Sequence, residues 1–164
     1  MKTRTSRRVL AVTTPVVVVA DLSTKVWASH ALRNRSYDLP GPVDLRLAHN
    51  RGIAFGAFES APPALILAVT GTVTVVLAIA AWRHELPALP AGFMLGGAIA
   101  NVVDRIQGGS VVDLLHTGWW PTFNLADVRL NIGIGLLLLT SFGDGRSNGN
   151  ATEVQDATST GRPT

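Results

Sequence analysis

The chain has 164 residues, of which 47% are hydrophobic and 15% charged, and its formal net charge is +3. The charged share is well below the roughly 25% of an average soluble domain. Because there is no cysteine, disulfides, thiolate metal sites and cysteine nucleophiles are excluded. Basic residues cluster at the start, at Lys2, Arg4, Arg7 and Arg8, which favours anionic lipid headgroups over nucleic acid as their partner.

Four apolar blocks follow one another along the chain, and each is long enough to cross a ~30 Å hydrocarbon core as a helix. They cover approximately residues 9–32, 64–82, 86–103 and 124–142. Only Arg83–Glu85 separate the second block from the third, which predicts a tight helical hairpin. We therefore predict an all-α membrane protein with four transmembrane helices within residues 1–145, followed by a disordered polar cytoplasmic tail over residues 146–164.

Four spans place both termini on the same side of the membrane. The basic N-terminus predicts that this side is the cytoplasm, although four arginines also lie in the first long connection, residues 32–60. An alternative interpretation of the start is a cleavable signal that ends near Ala20. The three further spans, and the helical pattern that continues beyond Ala20, argue against that alternative.

The two long connections carry different signals. Apolar and charged residues alternate over Val43–Leu47, which predicts a half-buried strand. Asn50-Arg51-Gly52 predicts a turn before Ile53-Ala54-Phe55. We expect a small extracytoplasmic β-sheet or loop element here, and a second long loop over residues 107–123.

Ionisable residues in or beside the spans are functional candidates, because a charge near the bilayer centre costs ~2.5–3.5 kcal/mol. They are Asp21, Lys25, Asp104, Arg105, Asp113, Asp127 and Arg129. Asp21 and Lys25 are four residues apart and share a helix face, so we interpret them as a structural ion pair. Asn101, Asp104 and Arg105 also share a face, and form either a cap-and-pair cluster or a set that orients another acid.

Asp113 and Asp127 are stronger candidates for catalysis when they are considered together than when each is considered alone. Taken singly, Asp127 has the spacing of a capping box with Asn124, and Asp113 is an ordinary solvated loop acid. Both are predicted on one side of the membrane, near the ends of the third and fourth spans. Two neighbouring carboxylates cannot both ionise cheaply, so one can act as a base toward water and the other as an acid toward a carbonyl oxygen. This is the chemistry of an aspartic peptidase, which needs no metal or cofactor.

Other catalytic chemistries fit the sequence less well. His116 has no HExxH motif around it, and beside Trp119 and Trp120 it is interpreted as an interfacial residue. A Ser–Lys dyad between Ser110 and Lys25 has no supporting motif.

Two function classes besides catalysis stay open. A small proton or ion transporter would use buried acids, but it predicts acids near mid-span and inverted repeats, and no repeat is evident. A non-catalytic membrane scaffold would give buried acids no purpose. Gly92-x-x-x-Gly96, followed by Gly97, predicts close helix packing instead of chemistry.

Five short segments follow one another along the chain. They are Asp21-Leu-Ser-Thr-Lys25, Asn50-Arg-Gly52-Ile-Ala-Phe55, Gly97-Ala-Ile-Ala-Asn101-Val-Val-Asp104-Arg105, Val111-Val112-Asp113 and Phe123-Asn124-Leu-Ala126-Asp127. Along residues 9–142 this series resembles the signature segments of the lipoprotein signal peptidases, the type II signal peptidases of bacteria.

The resemblance implies a multi-pass aspartic endopeptidase of the bacterial plasma membrane, with its active site near the extracytoplasmic face. Its substrate would be a prolipoprotein whose cysteine carries diacylglycerol, and cleavage just before that cysteine would release the signal peptide. The implied partners are these signal peptides and membrane lipids, with no nucleic acid and no cofactor, for a monomer inhibited by globomycin.

The resemblance also implies roles for single residues. Asp113 and Asp127 would be the catalytic dyad, while Asp104, in the more conspicuous Asn-x-x-Asp-Arg motif, would pair with Arg105. The residues implied to bind substrate or support the dyad are Asn50, Gly52, Asn101, Arg105 and Asn124. The implied structural polar residues are Asp21, Lys25 and Asp104. Arg129 stands where the family usually has a small residue.

Overall fold

A computed structural model describes residues 2–53 and 57–139 of the chain. The four helices are α1 (Lys2–Ala31), α2 (Pro63–Trp82), α3 (Ala88–Gly108) and α4 (residues 125–139). Two strands, β1 (Asp44–Asn50) and β2 (Val111–His116), pair antiparallel. The mostly helical architecture with a small sheet is as the sequence predicts. The tail, residues 146–164, and Ala54-Phe55 lie outside the described residues.

Two of the described helices are long and apolar enough to cross a membrane, Ser6–Ala31 within α1 and Pro63–Trp82. The other two predicted blocks also form helices, but α3 and the described part of α4 do not meet that standard. The reason is visible in α3, whose last turns carry the buried charges of Asp104 and Arg105. The helices thus follow the predicted blocks, while the evidence for spanning rests on α1 and α2.

The hairpin between α2 and α3 is as tight as predicted. Trp82 ends α2 and Ala88 begins α3, and His84 turns the chain with a φ of 59°. At the other end of α3, Gly109 stops the helix in the left-handed conformation, with a φ of 70°. Its N–H donates to the carbonyl oxygen of Arg105 at 3.0 Å, a C-cap that glycine adopts without steric cost.

The glycines of α3 bring neighbouring helices into close contact, as their spacing predicts. A Cβ at Gly96 would lie 2.6 Å from the Cβ of Val17 in α1. A Cβ at Gly97 would lie 2.7 Å from the carbonyl oxygen of Ala126 in α4. Because glycine has no side chain, α3 packs directly against Val17 of α1 and against the backbone of Ala126 in the first turn of α4.

The sheet shows that residues 107–123 are not the long loop expected from the sequence. Val111–His116 form β2, and Ala48 of β1 lies opposite Asp113. The error arises because Val111, Asp113 and Leu114 are all buried, so the strand has no alternation of apolar and polar residues to reveal it. Asp113 is therefore a buried strand residue, and its interpretation as a solvated loop acid is wrong.

The two ends of the helix bundle differ in character. At one end, the guanidinium of Arg7 lies 5.2 Å from the ring centroid of Trp82, a cation–π contact. Lys25, together with the sheet, lies at the other end of α1. Arg7 and Lys25 are 18 positions apart on the helix, about 27 Å at the standard rise, so Lys25 lies about one bilayer core from the basic end.

Candidate active site

Asp113 enters the site from β2. Its side chain is 1% exposed. Oδ1 accepts a hydrogen bond from Nδ2 of Asn124 at 2.7 Å. Oδ2 is also buried, and the geometry gives it no hydrogen-bond donor among the described residues. Oδ1 of Asp113 is thus held by Asn124, while Oδ2 has no hydrogen bond from the described residues and can bind another group.

Asp127 enters from the first turn of α4 and is only half-buried. Its N–H donates to Oδ1 of Asn124 at 3.0 Å, and its Oδ2 accepts from the N–H of Asn124 at 3.2 Å. This is the reciprocal capping box that the sequence predicts. Oδ1 accepts a further bond from Nδ2 of Asn101 at 3.1 Å. The capping box therefore orients Asp127 toward the site, and the structural and functional interpretations of this residue are compatible.

Asn124 connects the two acids and is fully buried. The N–H of Asp127 can only donate, so the Asn124 side-chain oxygen must face it. The NH₂ group is then directed at Oδ1 of Asp113, and also lies 3.3 Å from Oδ1 of Asn101. One amide thus contacts both predicted catalytic residues.

Burial raises the pKa of Asp113 to about 7. The Asn124 hydrogen bond opposes this rise, and the neighbouring Asp127 carboxylate adds to it; Asn50 and Lys25 act weakly in the same sense as Asn124. Desolvation and a nearby like charge both penalise the ionised form. Asp113 therefore keeps a proton at a pH where ordinary aspartates have lost theirs.

A second polar cluster lies beneath the acids, centred on Lys25. Its Nζ lies 2.7 Å from Oδ2 of Asp21, 3.1 Å from Oδ2 of Asp104 and 2.7 Å from Oδ1 of Asn101. The predicted Asp21–Lys25 ion pair forms within α1, and the contacts of Lys25 with Asp104 and Asn101 connect α1 to α3. Since the ammonium is only 2% exposed, all its favourable contacts are with protein groups.

The expected pairing of Asp104 with Arg105 does not form. Asp104 instead binds Lys25, and its Oδ2 also accepts the N–H of Val112 at 3.1 Å. Adjacent side chains on a helix point in different directions, so sequence neighbours are poor partners. Asp104 is still neutralised by a cation, as the resemblance implies, but the cation comes from another helix.

Arg105 holds the turn that follows β1. Its Nη2 donates to the carbonyl oxygen of Gly52 at 2.7 Å and its Nη1 to that of Asn101 at 3.2 Å. Asn50 closes the same turn, because its Oδ1 accepts the N–H of Gly52 at 2.9 Å. The structure thus brings the predicted residues Asn50, Gly52 and Arg105 to the edge of the site, next to Asp113.

Arg129 is a contact that the sequence does not predict. Its Nη1 lies 3.7 Å from Oδ1 of Asp21 and 3.4 Å from the carbonyl oxygen of Val17. A single charged residue in α4 has no local partner that would reveal this contact with α1. Arg129 therefore adds a further cation to the buried cluster.

Two exposed aromatic residues lie beside the site, in the segment between β2 and α4. Trp119 and Trp120 meet edge to face, with ring centroids 5.2 Å apart. Trp119 is 81% exposed. Exposed tryptophans of this kind are typical of a membrane–water interface.

Comparison with known proteins indicates the family of the chain. A family model described as signal peptidase (SPase) II matches residues 13–143. Among curated relatives, a lipoprotein signal peptidase of Syntrophomonas wolfei is 36% identical over 136 residues, covering 80% of this chain and 91% of its own. One from Rhodococcus jostii is 38% identical over 151 residues, covering 86% and 76% respectively.

A solved structure confirms the fold alone. A bacterial membrane enzyme determined by the in meso method at 2.3 Å resolution aligns with a TM-score of 0.71 at 23% identity, covering 88% of this chain and 90% of that one. With the family match spanning most of the chain, the sequence resemblance is confirmed. The chain belongs to the signal peptidase II family, the membrane-bound lipoprotein signal peptidases.

Proposed function

We propose that the chain is an aspartic endopeptidase that removes signal peptides from diacylglyceryl-modified prolipoproteins, cleaving just before the lipidated cysteine. The observation that carries this proposal is that Asn124 binds both carboxyl groups: its Nδ2 donates to Oδ1 of Asp113 at 2.7 Å, and its backbone N–H donates to Oδ2 of Asp127 at 3.2 Å. Family membership supplies the substrate class, and the two carboxyl groups supply the means of activating water.

The environments of the two acids favour different roles. Asp127 accepts hydrogen bonds on both oxygens and lies at a helix N-terminus, and both features favour a carboxylate. Asp113 is buried in a strand, accepts one bond and has a pKa raised to about 7 by that burial. We therefore assign Asp127 as the base and Asp113 as the acid. Because the groups interact, a pH–rate profile reports values for the pair.

The proposed reaction is an addition followed by an elimination. Asp127 takes a proton from water while the water oxygen bonds to the scissile carbonyl carbon, and Asp113 gives its proton to the carbonyl oxygen. The resulting tetrahedral diol then collapses. The proton held by Asp127 goes to the amide nitrogen, the C–N bond breaks, and a hydroxyl proton returns to Asp113. The products are a signal peptide with a free carboxyl group and a lipidated cysteine with a free amino group.

The position of the acids along the bundle fits a substrate cut at the outer membrane face. Lys25, whose partner Asn101 contacts Asp127, lies about 27 Å from the Arg7 end of α1, and the basic residues of that end favour the cytoplasm. On this basis we propose that both termini are cytoplasmic and that the site lies near the extracytoplasmic face. A transporter would instead need its acids near mid-span.

Cleavage by purified protein in detergent tests the proposal. Wild type is incubated with a diacylglyceryl-modified prolipoprotein and with the same precursor lacking the lipid. We expect cleavage of the lipidated form only, blocked by globomycin. Asp113→Asn and Asp127→Asn should each lower the rate by at least ~10³-fold, because the remaining acid cannot serve as both base and proton donor.

A matched control is Asp44→Asn. Asp44 lies on β1 with a partly exposed side chain, and it pairs with Arg46 at 3.6 Å, so its loss should leave the rate unchanged. Cleavage by Asp113→Asn or Asp127→Asn at the rate of the control would remove that residue from the mechanism. No cleavage by any form, including wild type, would favour a transporter or scaffold.

A further inference from the structure

Lys25 has a contact that an ion pair with Asp21 does not require. Its third short contact is neutral: Nζ lies 2.7 Å from Oδ1 of Asn101. An ammonium can only donate hydrogen bonds. The side-chain oxygen of Asn101 must therefore face Lys25, and the Asn101 NH₂ group is turned away from it.

The NH₂ group of Asn101 is therefore directed at the carboxylate of Asp127. Its Nδ2 donates to Oδ1 of Asp127 at 3.1 Å. If the Asn101 amide were flipped, its oxygen would face the Asp127 carboxylate and its NH₂ group would face the Lys25 ammonium, so both contacts would be repulsive. The orientation is thus fixed from α1, through α3, to the acid on α4.

We propose that Lys25 is a positioning residue for proteolysis, which locks the Asn101 amide so that it holds Asp127 as the proton-accepting carboxylate. This inference rests on the proposed function and adds to it a role for a residue otherwise regarded as structural. Lys25 does not touch the reacting atoms in this geometry. It acts through Asn101.

The other charged groups near Asp127 do not orient the Asn101 amide as Lys25 does. Asp113 of β2 and Arg105 of α3 both lie close enough to Asp127 to interact with its charge. Asp104 lies on the far side of Lys25, bound to its ammonium at 3.1 Å. Arg129 of α4 itself is directed at Asp21. Of these charged groups, only Lys25 contacts the side-chain oxygen Oδ1 of Asn101.

The test removes the Asp21–Lys25 ion pair in two steps. Asp21→Asn alone deletes one partner of Lys25 and leaves the Lys25–Asn101 contact. Asp21→Asn/Lys25→Met deletes an acid and a base together, so that the net charge of the cluster is that of wild type. Asp113→Asn and Asp127→Asn are measured in the same assay with the lipidated precursor.

We expect Asp21→Asn to keep the kcat of wild type. The double variant should fold, with an apparent Tm close to that of Asp21→Asn. Its kcat should fall about 100-fold, as for a misplaced catalytic group, with KM nearly unchanged. The acidic limb of its pH–rate profile should move to higher pH, because the carboxylate has lost an oriented donor. A purely structural ion pair would not move that limb.

Three results would overturn the inference. They are equal kcat values and pH profiles for the double variant and Asp21→Asn, a rise in KM without a change in kcat, and loss of the folded double variant while Asp21→Asn stays folded. If Asp113→Asn and Asp127→Asn are inactive in those experiments, only the role of Lys25 is wrong. If they remain active, the proposed function itself fails.

Discussion

The carboxyl group of Asp113 combines a stability cost with a proposed chemical use. In the unfolded chain it titrates near 3.8, and in the folded protein burial raises its pKa to about 7. Between these values the folded state keeps a proton that the unfolded state has lost. The free energy of unfolding therefore falls as pH rises through this range, by up to ~4 kcal/mol, and the loss is complete above pH 7.

This linkage gives a prediction for Asp113→Asn, whose amide is neutral at every pH and can still accept from Asn124. The variant should unfold at a higher temperature than wild type above pH 7, and the difference should vanish as pH falls toward 4. Thermal unfolding in detergent between pH 4 and pH 8 measures that difference, in which other titrating groups cancel. Parallel curves for the two proteins would contradict the assignment of a raised pKa to Asp113. A gain in stability with a loss of cleavage is typical of a strained catalytic site.

At the scale of single elements, Asn124 has two roles at the start of α4. Asn124 caps the helix through its oxygen and binds Asp113 through its NH₂ group. Serine is an equally good N-cap but has no second donor that reaches as far. The two tasks can therefore be separated by substitution.

Asn124→Ala should lower the free energy of unfolding by ~1–2 kcal/mol, because the cap is lost. Asn124→Ser should recover most of that stability. Both variants should be equally poor in cleavage, since neither holds Asp113. Unfolding and precursor cleavage are measured on the same preparations. Recovery of cleavage in Asn124→Ser would show that capping alone explains this residue.

The contact between α3 and α4 at Gly97 sets the position of the neighbouring Asp127. A Cβ there would lie 2.7 Å from the Ala126 carbonyl oxygen, so Gly97→Ala must push the start of α4 away from α3. We expect a fall in kcat of ~10–100-fold. Gly71→Ala in α2 is the control, because a Cβ at Gly71 has open space within 4 Å. It should keep full activity and gain up to ~1 kcal/mol from helix propensity. Similar kcat values for the two variants would contradict this role of Gly97.

For the whole molecule, the site and the separate polar cluster around Lys25 together form a nearly balanced set of charges drawn from three helices and a strand. The acids among the described residues of this cluster are Asp21, Asp104, Asp113 and Asp127, and the cations are Lys25, Arg105 and Arg129. Three cations balance three carboxylates, so the fourth acid is best accommodated as the neutral form. Buried ions are tolerated only when they are paired in this way. The charge balance thus agrees with the raised pKa of Asp113.

Arg129 belongs to this balance, although it is distant in sequence from its partner. Arg129→Gln should lower the free energy of unfolding by about 1–3 kcal/mol, because Asp21 loses a cation in a water-poor setting. Arg129→Lys should lose less. Thermal unfolding of the three proteins in detergent checks the order. Equal stability of all three would mean that the 3.7 Å contact contributes nothing.

The sequence by itself determines the helices and the residue types of the site. The four apolar blocks and the Asn124–Asp127 spacing depend on local interactions, and among the described residues each block forms a helix and the spacing forms the predicted capping box. The Asp21–Lys25 pair is also local, one helical turn apart. The family resemblance names the same candidate acids, Asp113 and Asp127.

Only the tertiary structure decides which groups meet across elements. Periodicity does not reveal β2, because both of its faces carry buried residues, and adjacency wrongly pairs Asp104 with Arg105. The direction of the Asn101 amide and the partner of Arg129 likewise depend on helices more than 70 residues apart in the chain. Such contacts are fixed by close packing at Gly96 and Gly97 and by the need to neutralise buried charges, and neither condition leaves a pattern along a single segment.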